Sequence, residues 1–136
     1  MNPIITDLNK NANIIGLYFS GDYCKYWKEF TPILINSYQQ LLDNNIEIVY
    51  VSSDKNIEQY DEYRSTQPWK SIPYEEDILR KSLREQFNIK TIPALLFFDV
   101  KQNILLESNG RNLIRDNKDE LIQNLININY DSDDNF

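Results

Sequence analysis

Three nearly continuous apolar runs limit what this chain can fold into, because a strand that is apolar on both faces must be covered on both. The runs read IIGLYFS at Ile14–Ser20, IEIVYVS at Ile46–Ser52 and ALLFFDV at 94–100. Their length and their β-branched and aromatic residues favour central strands. Helical patterns separate them, so we predict strand–helix–strand crossovers and a sheet that is at least partly parallel.

Four segments carry apolar residues at helical spacing: 24–42, 53–65, 75–87 and a stretch around 121–128. Ser53 and Asp54 are candidates to cap the second helix at its N-terminus, and we interpret Asp54 as a cap rather than a catalytic acid. Between the second and third helices we predict an ordered loop in which Trp69 packs into the core. A turn at 101–103 leads into a short strand at 104–107, which predicts an antiparallel edge. The fold class is therefore α/β, with a mixed sheet and helices on both faces.

Composition excludes several classes of function. The chain has 136 residues, enough for one domain, and 14 basic against 21 acidic residues give a net charge of −7. Nucleic-acid binding depends on clustered cations, so we expect no nucleic-acid partner. There is no histidine, which removes histidine-based metal and catalytic sites, and we expect no metal. The first apolar run is too short to cross a bilayer, so we expect no membrane association.

The N-terminus has no basic region followed by an apolar one, so no signal peptide is predicted and we expect a cytoplasmic or alternatively nuclear protein. We divide the chain into an N-terminal extension at 1–13, a domain at 14–129 and an acidic tail at 130–136. Charge and polarity predict that the tail is disordered.

The segment YFSGDYCKYWKEFTP at 18–32 resembles the active-site segment of tryparedoxins and nucleoredoxins, which reads approximately FSAxWCPPCRxFTP. Four further motifs resemble that family in the same order: VSSD at 51–54, PWKSIPY at 68–74, FNIKTIPAL at 87–95 and NGR at 109–111. The resemblance covers residues 14–125 and implies a thioredoxin fold. It also implies that the Ile92–Pro93 peptide bond is cis and faces the active cysteine.

The departures from the family bear directly on function. Trp27 stands where the family has its second active-site cysteine. Lys25 and Tyr26 replace the two prolines between the cysteines, and Tyr23 replaces the preceding tryptophan. The family usually has threonine after the cis-proline, where this chain has Ala94.

Cys24 is the single cysteine, and it precedes a predicted helix. A helix N-terminus presents N–H groups and partial positive charge, which favour the thiolate over a thiol of pKa about 8.5. Lys25 favours the thiolate and Asp22 opposes it, so we expect a modest fall in the pKa. The alternative is an inert, buried cysteine.

A thiolate without a second cysteine performs monothiol thiol–disulfide exchange, and an outside thiol such as glutathione must release the product. We expect no bound cofactor, with glutathione as a co-substrate and protein or glutathione disulfides as partners. The resemblance implies client contacts from the loop, with the backbone of Ile92 as pairing partner. The candidate binding residues are Tyr23, Lys25, Tyr26, Trp27, Ile92 and Pro93.

We expect a monomer that oxidation would convert to a disulfide-linked dimer. The alternative function is a redox-inactive module that binds clients through the cis-proline groove.

Overall fold

A computed structural model describes residues 12–22 and 27–134, with side chains for 12–22 and 29–128. The elements, in chain order, are β1 (Ile14–Ser20), α1 (Trp27–Asp43), β2 (Ile46–Ser52), α2 (Ile57–Arg64), β3 (Lys70–Ser71), α3 (Asp77–Gln86), β4 (Ala94–Asp99), β5 (Ile104–Glu107) and α4 (Gly110–Asp134).

The sheet has five strands in the order β3-β2-β1-β4-β5. Strands β1 and β2 run parallel and in register, so that Ile14 lies opposite Ile46 and Ser20 opposite Ser52. The late strands β4 and β5 are antiparallel to their neighbours, as the predicted turn at 101–103 requires. This mixed sheet with helices on both faces confirms the predicted fold class.

Two hydrophobic cores cover the two faces of the sheet, because successive side chains of a strand point to opposite sides. Ile14 and Tyr18 of β1 pack on the face covered by α1, α2 and α4. Ile15, Leu17 and Phe19 pack on the opposite face, where α3 contributes its apolar side. All seven residues of β1 are buried, which explains its continuous apolar sequence.

The three long strands occur where the apolar runs predicted them, while two finer expectations need correction. The loop at 67–74 contains the short strand β3, whose two residues carry too little pattern to be recognised. Helix α2 is capped by Asn56 and not by Ser53 or Asp54, because the Asn56 side chain accepts a hydrogen bond from the Gln59 N–H.

Helix α4 begins at Gly110, although an Asn–Gly pair such as Asn109–Gly110 is typical of a turn. A Cβ on this residue would lie 2.6 Å from the Leu95 carbonyl oxygen and 2.8 Å from the Phe97 ring. Glycine is therefore needed for close approach of α4 to β4. The helix has a break at Asn117 (φ −144°) and continues to Asp134, beyond the boundary at residue 130 set for a disordered tail. Elongating a helix already fixed by packing adds a hydrogen bond with each residue.

Within the described residues, no helix is both long enough and apolar enough to cross a membrane.

Candidate functional site

The carboxyl ends of β1 and β2 meet the beginning of β4 at one edge of the sheet. Ser20 pairs with Ser52 across the parallel strands, and Phe19 pairs with Ala94 across the antiparallel ones. The chain therefore leaves β1 towards Cys24 at the same place where it enters β4 from Pro93. Register alone brings these two segments together.

Four of the predicted site residues, Tyr23, Cys24, Lys25 and Tyr26, lie outside the described residues. Trp27 is described only as the first residue of α1. The remaining two, Ile92 and Pro93, are described. The described part of the site consists of residues that flank positions 23–27, which we call the cysteine segment, and of the loop with Ile92 and Pro93, which we call the proline loop.

The proline loop has the backbone geometry that the resemblance implied, since the Ile92–Pro93 peptide bond is cis. Pro93 is buried and Ile92 is half-buried. The Arg111 guanidinium donates a hydrogen bond to the Pro93 carbonyl oxygen at 3.0 Å. Because Gly110 allows α4 to approach β4 closely, Arg111 on the first turn reaches this carbonyl and ties the loop to the helix.

A cavity of about 460 Å³ lies against the proline loop, between α1 and α4. Apolar side chains of Phe30 and Ile33 line it from α1, and Ile92 and Pro93 line it from the loop. Charged groups at its margin come from two helices: the exposed Glu29 on α1, and Arg111 and Arg115 on α4. Such a cavity suits a ligand with an apolar body and polar ends. We call it the proline-loop cavity.

Asp54 is buried and does not cap a helix, in contrast to the prediction. Its carboxylate accepts hydrogen bonds from the Tyr50 hydroxyl at 2.7 Å and the Ser52 hydroxyl at 2.6 Å. It also accepts from the backbone N–H of Asp22, two residues before Cys24. Asp54 thus fixes the point from which the cysteine segment leaves the sheet.

A chain of buried hydroxyls, which we call the hydroxyl network, lies behind this point. The Tyr63 hydroxyl contacts those of Ser20 at 3.1 Å, Thr31 at 2.8 Å and Tyr18 at 3.2 Å. Tyr50 donates to the Ser20 carbonyl oxygen at 3.2 Å and so connects the network to Asp54. Burial raises the pKa of both Tyr50 and Tyr63, and the neighbouring Asp54 carboxylate raises that of Tyr50 further. Both phenols remain protonated at neutral pH.

Trp69 is 3% exposed and packs edge-on against Tyr18 and Tyr38. Its indole N–H donates to the Gln67 side chain at 2.7 Å. Trp69 is therefore a core residue, as predicted, and does not belong to an exposed aromatic surface around the cysteine.

Sequence reasoning missed the contribution of arginines to this edge of the sheet. Arg111 was noted only as part of an NGR motif, although it contacts Pro93. Arg80 and Arg84 belong to a set of basic residues spread along the sequence, yet both donate to the Ser52 carbonyl oxygen, at 2.8 and 3.0 Å. Their i, i+4 spacing on a helix was the available signal. Among the described residues, no group of three or more histidine, cysteine, aspartate or glutamate side chains is arranged to hold a metal.

Comparison with known proteins agrees with this architecture. Residues 11–104 match a family model described as thioredoxin-like. Nucleoredoxin from Xenopus laevis is 31% identical over 107 residues, which are 77% of this chain and 26% of that protein. Probable nucleoredoxin 1 from Arabidopsis thaliana is 36% identical over 102 residues, 74% of this chain and 18% of that protein. The chain thus matches about a quarter or less of the length of these curated relatives.

Among solved structures, tryparedoxin II complexed with glutathionylspermidine superimposes with a TM-score of 0.79 at 25% identity, covering 82% of this chain and 79% of that one. Sequence and fold therefore agree on one assignment. The chain belongs to the thioredoxin-like family and contains a domain of the tryparedoxin and nucleoredoxin type.

Proposed function

We propose that this protein catalyses monothiol thiol–disulfide exchange through Cys24, with glutathione or another small thiol as the second reactant. The observation that carries the proposal is the register of β1 with β4, which brings the start of the cysteine segment and the proline loop to one edge of the sheet. Asp22, two residues before Cys24 in the sequence, follows the end of β1 that pairs with the start of β4, and this supports a site that combines Cys24 with the proline loop.

The relatives support a redox role. They are nucleoredoxins and tryparedoxins, and the tryparedoxin II structure is a complex with glutathionylspermidine. We extend to this chain only the class of ligand, a low-molecular-mass thiol or disulfide of glutathione type.

The proposed chemistry follows because Cys24 is the single cysteine of the sequence, so that no second thiol of the chain can release its mixed disulfide. The Cys24 thiolate attacks one sulfur of a disulfide, forms a mixed disulfide with it and releases the other sulfur as a thiolate. Trp27 has no sulfur to release the captured half. A glutathione thiolate therefore attacks the mixed disulfide, forms glutathione disulfide with the captured glutathionyl group and regenerates the Cys24 thiolate. The net reaction converts one mixed disulfide and one glutathione to one thiol and one glutathione disulfide.

The proline-loop cavity is the proposed place for the client. Ile92 and Pro93 form its wall on one side, and Phe30 and Ile33 form the other. We propose that the body of the client packs there, while Tyr23, Lys25, Tyr26 and Trp27 contact it from the cysteine segment.

The test measures two quantities on the full chain. The rate of alkylation of Cys24 as a function of pH gives the pKa of its thiol, and the same measurement in denaturant gives the reference. We expect a folded-state pKa below about 8.5, because a helix N-terminus stabilises the thiolate. Deglutathionylation of a peptide mixed disulfide in the presence of glutathione should be catalysed by the wild type and abolished in Cys24→Ser.

A second variant distinguishes the monothiol mechanism from a mechanism with two cysteines. Trp27→Cys supplies a second cysteine at the family's spacing, so the pre-reduced variant should reduce a protein disulfide completely with no added thiol, whereas the pre-reduced wild type should stop at the mixed disulfide with Cys24. The alternative, a redox-inactive binding module, is favoured by the presence of the proline-loop cavity without a second cysteine. It would be supported by a thiol that stays unreactive in the folded protein. Deglutathionylation that survives Cys24→Ser would show that Cys24 does not catalyse it. Either result excludes the proposed catalysis.

A further inference from the structure

A second cavity lies on the other side of the proline loop, and its lining is strongly basic. It has a volume of about 380 Å³ and lies between the end of β2, helix α3 and the segment before Pro93. Ile92 lines both this cavity and the proline-loop cavity. We call it the basic cavity.

Among the residues that the structure describes, three cations and one carboxylate line the basic cavity: Arg80, Arg84, Lys90 and Asp54. Their formal charges sum to +2, in a chain whose net charge is −7. A positive site within an acidic protein attracts anions locally while the rest of the surface repels them.

Arg80 is 6% exposed, so its charge is removed from water. Its guanidinium donates to the Tyr74 carbonyl oxygen at 3.1 and 2.8 Å and to the Ser52 carbonyl oxygen at 2.8 Å, and it lies 4.4 Å from the centre of the Tyr74 ring. These acceptors are neutral. A buried charge is costly unless an opposite charge compensates it.

Arg84 increases this positive charge, because it donates to the same Ser52 carbonyl oxygen at 3.0 Å. Two guanidinium groups on one neutral oxygen repel each other. Asp54 is the carboxylate within the cavity, and its hydrogen bonds go to Asp22, Tyr50 and Ser52 rather than to either arginine.

We propose that the basic cavity is a binding site for an oxyanion, the carboxylate or phosphate group of a ligand. Guanidinium groups bind such oxygens through paired, charge-assisted hydrogen bonds, and an ammonium adds a point charge at the rim. Arg80 forms the buried positive floor, Arg84 bridges floor and opening, and the exposed Lys90 lies at the entrance. Oxyanion binding in this cavity does not require the thiol of Cys24.

The test is a titration of the full ¹⁵N-labelled chain with inorganic phosphate and, separately, with acetate, each against sodium chloride at matched ionic strength. The readouts are the amide shifts of Ser53 and Lys90 and the side-chain Nε–H signals of Arg80 and Arg84. We expect saturable shifts confined to these groups. Saturation by phosphate alone assigns a phosphate ligand, and saturation by acetate assigns a carboxylate.

The variants Arg84→Gln and Lys90→Gln should each weaken binding, the former about tenfold or more, since it removes a hydrogen bond to a charged group. Lys81→Gln is the matched control, because Lys81 is an exposed cation on the same helix and does not line the cavity. It should bind as the wild type does. Shifts that rise linearly and equal those of chloride, or equal weakening in Lys81→Gln and Arg84→Gln, would overturn the proposal.

Discussion

At the scale of single residues, Asp54 connects the sheet to the candidate site. Its carboxylate accepts from the Asp22 backbone on one side and from the Tyr50 and Ser52 hydroxyls on the other. The sequence predicted a helix cap here because aspartate after a strand is a common N-cap. These three donors occupy the carboxylate, so the cap falls to Asn56, two residues later.

Replacing Asp54 with asparagine keeps the size of the side chain but removes its charge and one acceptor oxygen. We expect the free energy of unfolding to fall by about 1–3 kcal/mol, because a buried donor then loses its acceptor. Urea denaturation measures the change. Asp61→Asn, at an exposed position of α2, is the control and should stay within about 0.5 kcal/mol of the wild type. Equal stability of the two variants would show that the carboxylate is not needed at position 54.

At the scale of elements, packing of α4 on β4 positions the proline loop. Gly110 lets the helix start against Leu95 and Phe97, and the next residue, Arg111, contacts Pro93. Local sequence indicated a turn at Asn109 and Gly110, since this pair is typical of turns. The glycine is required for space and not for an unusual φ, and only the tertiary structure reveals such a requirement.

Gly110→Ala should lower the free energy of unfolding by about 1–3 kcal/mol, because the added methyl group overlaps the Leu95 carbonyl and the Phe97 ring. This loss should occur although alanine favours a helix more than glycine does. The matched substitution Asn124→Ala, at an exposed position of the same helix, should leave stability unchanged or slightly increased. A stabilised Gly110→Ala protein would contradict the close approach. Thermal unfolding of the two variants decides between these outcomes.

The sequence predicted the strands better than the site. Apolar runs identify β1, β2 and β4, because a strand buried on both faces is apolar along nearly its whole length and this can be recognised in the sequence. The basic cavity combines side chains from the end of β2, from α3 and from the following loop. Arg80, Arg84 and Lys90 lie together only after the chain has folded. The amino-acid composition therefore does not identify them as a cluster.

For the whole molecule, two buried tyrosine side chains make the free energy of unfolding depend on pH in the alkaline range. Tyr50 and Tyr63 are almost completely buried, and their pKa values are raised above the ordinary value of about 10. The folded state therefore holds protons that the unfolded state releases above about pH 10. The stabilisation is fully present below that pH and is lost as pH rises towards the folded-state pKa values.

We expect the free energy of unfolding to fall above about pH 10 by up to about 1.4 kcal/mol per pH unit for each of these two groups. Urea unfolding at a series of alkaline pH values measures the slope. Tyr63→Phe should be less stable at neutral pH and should show a shallower slope, because one titrating group is gone. A slope identical to that of the wild type would mean that Tyr63 does not contribute.

The hydroxyl network restricts which substitutions this sequence can tolerate. A change of Tyr18, Thr31 or Tyr63 to an apolar residue removes one contact from each neighbouring buried hydroxyl, and the weaker hydrogen bonding of that buried group adds to the loss of the bond itself. Tolerated variants should therefore arise as simultaneous replacements of two members, with the first step alone selected against. Homologues that lose one of these hydroxyls are expected to have lost its neighbour as well.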